Sequence, residues 1–285
     1  MRKLSIAALA ALAVLAVAGV AYAANIYTVD GSTKPGGKGT PKKPLPVSLN
    51  FSYTVRDENP DFRGTPVEKY FIGAEGLVTY PEAFPSCSGG SDGANNEDLA
   101  AVKRTCKKAR VGGGIIKAYA GPPTDQTQKL NCVLELNLYN VKPGRYQTND
   151  GPVKIPKKHG GLAIRIDGVA PAPPSLDDRY KGQCAAPQGE AILAPYAATK
   201  IKGLPADELR FTVPPSLLHV GPLDTAVQEV TSAIKKRVAS KRIGGKKRKV
   251  GFYSSVGCKG GKRSIQVTFI SEAGQRTPKS KDGKC

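Results

Sequence analysis

Few side chains in this sequence have the chemistry to act on a substrate. Two histidines, His159 and His219, are the only groups that titrate near neutrality without help. His159 lies in Lys157-Lys158-His159-Gly160, a turn flanked by like charges, and His219 follows Leu217-Leu218 in a proline-bounded loop. Neither stands beside a serine or cysteine in a nucleophile-elbow setting, so no catalytic set is assigned. The carboxylates, among them Glu135, Asp177 and Asp178, are scattered, and no spacing marks an acid/base pair. Asp92 to Asp98 is rich in oxygen ligands but departs from the calcium-loop pattern, and helix capping is the expected use. Gly36-Gly37-Lys38-Gly39-Thr40 lacks the spacing of a phosphate loop and reads as a connector. No metal site and no cofactor is expected.

The strongest chemical signal is charge. From Lys235 to Lys249 the chain reads KKRVASKRIGGKKRK, nine basic residues in fifteen with no acid: Lys235, Lys236, Arg237, Lys241, Arg242, Lys246, Lys247, Arg248 and Lys249. Such a stripe attracts polyanions, whether a wall polymer, an acidic polysaccharide or nucleic acid. Gly244-Gly245 in its middle suggests a hairpin tip. Further positives follow at Lys259, Lys262, Arg263, Arg276, Lys279, Lys281 and Lys284. The formal charge is +20, against which the competing reading of the stripe is a solvated loop in a protein basic throughout.

The setting for these residues comes from the first 23. Arg2 and Lys3, an apolar run from Leu4 to Val20, and Ala21-Tyr22-Ala23 are the three parts of a secretory leader, cleaved after Ala23. Left uncleaved, the run is long enough for an N-terminal membrane anchor. Export implies an oxidising setting, no cytoplasmic partner, and a secreted or cell-surface location. The six cysteines, Cys87, Cys106, Cys132, Cys184, Cys258 and Cys285, show no Cys-x-x-Cys spacing, so disulfides rather than metal are expected. Of 15 possible pairings, neighbours in sequence are favoured: Cys87–Cys106, Cys132–Cys184 and Cys258–Cys285.

The elements that must hold all this are strands. Glycine and proline are abundant, aromatics are 6% and tryptophan is absent, which disfavours a broad aromatic platform. Short β-branched runs separated by turn residues predict an all-β, antiparallel β-sandwich-like fold with one short helix, stapled by disulfides, as a single domain over 24–285. Residues 26–29 form a strand closed by Gly31 and Pro35. Val47, Leu49, Phe51, Tyr53 and Val55 alternate with polar residues, the clearest strand of all. Residues 67–77 are expected to return antiparallel to it. Asp98 and its neighbours begin a helix whose Leu99, Val102 and Cys106 share one face, with Cys87–Cys106 tying its end to the preceding strand. Strands follow at 114–119, 130–139, 162–166 and 209–213. Residues 226–238 fit either state and are assigned to strand. Residues 250–255 and 264–270 are expected to pair around a loop at 257–262.

The order of several segments resembles a known group. Tyr27-Thr28-Val29, Gly39-Thr40 with Pro44 and Pro46, Phe84-Pro85 with Cys87, Val111 to Gly114 after Cys106, and Val256-Gly257-Cys258-Lys259-Gly260 before Val267-Thr268-Phe269 carry the likeness. Together with Glu272-Ala273-Gly274 they resemble secreted β-rich proteins of actinobacteria and their relatives, a group with no established activity. The resemblance implies an exported bacterial protein and supplies no catalytic residues. The expectation is a non-enzymatic envelope or extracellular protein with a basic hairpin region at about 235–263. The alternatives are a structural surface protein without ligand and an exported hydrolase with an unrecognised site.

Overall fold

A computed structural model describes residues 25–168 and 191–285. The expected leader with its expected cleavage point, Cys184, Asp177 and Asp178 lie outside the described residues. The strands are β1 (Ile26–Lys34), β2 (Leu45–Arg56), β3 (Val67–Ala74), β4 (Leu77–Thr79), β5 (Arg110–Gly121), β6 (Leu130–Asn140), β7 (Gly144–Thr148), β8 (Gly151–Ile155) and β9 (Gly161–Gly168). A helix, α1 (Leu99–Thr105), precedes β5. Beyond residue 190 come β10 (Ala191–Ile201), β11 (Leu204–Thr212), a single helical turn α2 (Pro215–Leu218), β12 (His219–Val220) and β13 (Leu223–Ile234). The last strands are β14 (Val238–Ile243), β15 (Lys246–Gly251), β16 (Tyr253–Ser255), β17 (Lys262–Ser271) and β18 (Arg276–Lys284).

Fourteen strands form one antiparallel sheet that folds over to make a sandwich, its path running β18-β17-β3-β11-β10-β9-β6-β5-β13-β2-β16-β4. β10 is the corner. Its first half, Ala191 to Pro195, pairs with β9, and its second, Tyr196 to Ile201, pairs with β11 on the other edge. Pro195 sits at the changeover, where a residue without an N–H costs the ladder least. Aromatic rings join the two layers: Tyr27 of β1 stacks on Phe269 of β17 at 4.3 Å, and Tyr53 of β2 meets Tyr70 of β3 at 5.5 Å. Burial raises the phenol pKa of both Tyr53 and Tyr70. The alternating set Val47, Phe51, Tyr53 and Val55 is buried.

The fold class and the strand at β13 stand as expected, and four expectations on pairing and extent are corrected. β1 continues through Gly31, where a Cβ would lie 2.5 Å from Ile265 Cδ1 and 2.9 Å from the Asn50 carbonyl. Glycine there is required by close packing and does not end the strand. β3 pairs with β11 and β17, not with β2, because residues 57–66 cross between layers and place β3 opposite β2 across the core. β17 pairs with β18 and β3, whereas β16 is a short strand on β2 and β4, so 250–255 and 264–270 do not form a hairpin. α1 is capped by Asp98, whose carboxylate accepts from Ala100 N at 2.8 Å. The Cys87–Cys106 disulfide ties the helix end to the end of β6, since Cys87 N donates to the Asn140 carbonyl at 2.9 Å.

Cys258–Cys285 joins the β16–β17 loop to the end of β18. Cys132 is bonded, and its expected partner Cys184 lies outside the described residues. Among the described residues three arginines are wholly internal: Arg63, Arg165 and Arg263. Each clamps a loop through backbone carbonyls. Arg63 donates to Pro122, Asp125 and Gln128, and Arg165 to Ala94, Asn96 and Glu97. Arg263 donates to the Glu75 carbonyl and Ser255 Oγ. Burial lowers the Arg263 pKa to about 10, so it is a core residue and not one of the surface positives.

Candidate polyanion-binding hairpin and the cleft at its foot

The stripe of charge folds into a two-stranded ribbon, β14–β15, which among the described residues shares no ladder with the main sheet. Gly244 and Gly245 have φ of 55° and 77°, the left-handed pair that a tight two-residue hairpin turn demands. The register sets Ser240 against Lys249, Lys241 against Arg248, Arg242 against Lys247 and Ile243 against Lys246. The hairpin is therefore 238–251, shorter than the expected 235–263. Lys235, Lys236 and Arg237 lead into it.

Alternation divides the ribbon into two faces. The body-side face carries Ala239, Val250, Lys241 and Arg248, all half-buried or buried. Lys241 pairs with Glu82 and stands 4.9 Å over the Tyr80 ring, and burial lowers its pKa. Arg237 donates to the carbonyls of Lys108 and Arg110 at 3.0 and 3.2 Å and lies over Phe84. These two predicted binding residues thus tether the ribbon. The outer face presents Ser240, Arg242, Lys247 and Lys249, all exposed, and Lys246 projects at the tip. Among the described residues no acid pairs with Arg242, Lys246, Lys247 or Lys249.

Other positives gather round the ribbon. Lys107 and Lys108 are exposed beside Arg237, and Lys157 and Lys158 line a cleft of about 480 Å³ with Lys241, Tyr80, Glu82, His159 and Asp207. By contrast, Arg276, Lys279, Lys281 and Lys284 lie on β18, an end of the sheet path. Lysines there serve to block edge-to-edge pairing.

Sequence reasoning missed the cleft's dyad, because its members are far apart in the chain. His159 has a φ of 73°, unusual for a residue with a side chain, and its Nδ1 is 2.7 Å from Asp207 Oδ1. Asp207 is buried, and its Oδ2 accepts from Thr79 N at 2.6 Å and Thr79 Oγ1 at 2.8 Å. Burial raises the Tyr80 pKa, and the Asp207 charge adds to it. The geometry orients an imidazole with a carboxylate, but the Thr79 hydroxyl is spent on Asp207, and the described lining holds no serine or cysteine. His219 is held at both nitrogens, by Asp224 at 2.8 Å and Glu272 at 2.7 Å. Its pKa is raised, first by the hydrogen bond to Asp224 and also by Glu272. It clasps two chain segments.

Glu135 pairs with Lys103 and Arg110, and Asp92 accepts from Ser88, so neither belongs to a carboxylate pair. Among the described residues no group of three or more histidine, cysteine or acidic side chains is placed to hold a metal ion. No helix among them is long and apolar enough to cross a membrane. No protein-family model, no curated protein and no solved structure matches this chain. The fold and the charged ribbon are therefore read from their own residues.

Proposed function

We propose that this chain is an exported envelope or extracellular protein, not an enzyme, that grips an anionic polymer through the outer face of the β14–β15 ribbon. The reading rests on one observation: like charges stand directly opposite each other on the outer face, Arg242 against Lys247, on a ribbon that shares no ladder with the main sheet among the described residues. Such pairs destabilise a hairpin, and an anionic chain lying along Arg242, Lys247 and Lys249 relieves that repulsion. Lys107, Lys108, Lys235 and Lys236 extend the positive surface at the ribbon's base. The leader-like first 23 residues and the disulfides Cys87–Cys106 and Cys258–Cys285 support export. The polymer's chemical class is a repeated phosphate, sulfate or carboxylate, as in a wall polymer, an acidic polysaccharide or nucleic acid. The resemblance to secreted actinobacterial proteins is kept as part of this proposal.

The test is retention on immobilised polyphosphate and heparin. The Arg242→Gln/Lys247→Gln/Lys249→Gln protein is expected to elute at clearly lower salt than the parent on at least one of them. Unchanged elution of the triple variant on both resins abandons the proposal.

A further inference from the structure

We infer that the cleft at the ribbon's foot is a subsite for one acidic sugar unit, a ring carrying neighbouring hydroxyls and a carboxylate or sulfate. This rests on the ribbon reading and narrows it: among the polymers that the ribbon's charge admits, the cleft selects an acidic polysaccharide.

The cleft, about 480 Å³ in volume, lies between the turn at 157–160, the segment 78–82 and Lys241 of the ribbon, with Asp207 of β11 beneath. The described chain stops at Gly168 and resumes at Ala191. Gly168 is at the far end of β9 from this turn, about 23 Å along the strand from Gly161. The turn is set before any ligand arrives. His159 and Gly160 are both left-handed, with φ of 73° and 65°. Pro81 packs so closely that a Cβ on Gly160 would lie 2.5 Å from Pro81 Cγ. A histidine keeps such a backbone only where its surroundings impose it, and residues of this kind cluster at ligand sites.

Asp207 decides which imidazole nitrogen is left for a ligand. Its buried carboxylate accepts from Thr79 N and Oγ1, and His159 Nδ1 stands 2.7 Å from its other oxygen. Nδ1–H is therefore the donor, and among the described residues nothing bonds to Nε2. Nε2 accepts a hydrogen bond when the ring is neutral and donates one when it is charged. A hydroxyl serves either state, because it both donates and accepts, whereas the oxygen of an ionised phosphate or carboxylate can only accept. The Tyr80 phenol has the same double capacity, and Glu82 adds an acceptor whose charge is shared with Lys241. For the anionic group there are Lys157 and Lys158, both exposed and, among the described residues, paired with no acid. Pro41, Pro205 and Val256 supply apolar surface for the C–H face of a ring. A bare polyphosphate can use the two lysines, but it offers no hydrogen to a neutral His159 ring or to Glu82.

The experiment titrates the folded protein calorimetrically with trigalacturonate, a heparin tetrasaccharide and tripolyphosphate, the two sugars separating carboxylate from sulfate. His159→Asn is the variant, since asparagine tolerates the left-handed backbone. Its amide nitrogen stands where Nδ1 stood, so the bond to Asp207 is kept and Nε2 is lost. The parent is expected to bind at least one of the sugars, and His159→Asn to bind that sugar about fivefold more weakly, the worth of one hydrogen bond. Affinity for tripolyphosphate is expected to stay the same. If His159→Asn does not fold, Lys157→Gln/Lys158→Gln is read in its place, with at least the same loss of sugar affinity expected. No sugar binding by the parent, or unchanged sugar affinity in the folded variant, overturns the inference. An equal loss for tripolyphosphate in His159→Asn overturns it in favour of a phosphate site. The two readings fail separately: the ribbon falls if its triple glutamine variant elutes like the parent, whereas His159→Asn is expected to keep the parent's elution from polyphosphate.

Discussion

The two faces of the β14–β15 ribbon must count differently in binding, and salt dependence measures the count. Each phosphate neutralised on a duplex contributes about 0.9 to the slope of log K against log salt. The outer face offers Arg242, Lys247 and Lys249, so their removal should lower the slope by about 2.7. Between 50 and 200 mM salt, that part of the slope amounts to roughly a 40-fold loss of affinity in the parent that the variant no longer shows. On the body side, Lys241 is already paired with Glu82 and packed on Tyr80, so it has no free charge to offer. Lys241→Gln should leave the slope unchanged and cost about 0.5–1 kcal/mol of stability through the lost ring contact. A fluorescent duplex DNA serves as a defined polyanion, with anisotropy titrations over a sodium chloride series. The reasoning fails if Lys241→Gln lowers the slope as much as one outer-face substitution does, or if the triple glutamine variant keeps the parent slope.

Three other outcomes follow from the interior. Arg165→Met strands the buried Asp167 carboxylate, which Arg165 Nε meets at 2.8 Å; removing one partner of such a pair costs about 3–5 kcal/mol. Urea unfolding followed by circular dichroism reads this, with Asp167→Asn in the same chain recovering part of it, and a loss below about 1 kcal/mol would refute the clamp. Replacing Cys258 and Cys285 by serine opens a loop spanning 27 positions and should cost about 3–4 kcal/mol; an unchanged thermal midpoint counts against that bridge. The His219 clasp sets a pH dependence. His219 and Glu272 both have pKa values raised in the folded state, His219 first by its bond to Asp224 and Glu272 first by burial. A raised folded pKa contributes stability that is full below the unfolded value, about 6.5 for histidine, and is lost as pH rises through the folded value. Thermal midpoints should therefore fall from pH 5 to pH 9 more steeply in the parent than in His219→Gln, and parallel profiles would dismiss the clasp.

How much of this was legible follows from the kind of signal each element carries. β2 announces itself because one face is buried and the other wet, so Val47 to Val55 alternate. β10 was missed: Pro195 looks like a break until the strand is seen to change partners there. β18 was missed too, since an edge strand of Arg276, Pro278, Lys279 and Lys281 has no apolar face to display. The ribbon could be found by composition alone, but its two faces need the register of Lys241 with Arg248. His159 and Asp207 meet only through the turn before β9 and strand β11. Contacts between distant segments leave no local pattern.

The ribbon's independence also bears on how such a chain diverges. Among the described residues its one strand partner is its own other half, and it rests on the body through Arg237, Lys241 and Val250. Substitutions at positions 240, 242, 246, 247 and 249, or an insertion at the glycine tip, leave every rung of the fourteen-strand ladder in place. On the proposed reading, selection can alter the ribbon's ligand without renegotiating how the body folds, and descendants with superimposable bodies need not share one.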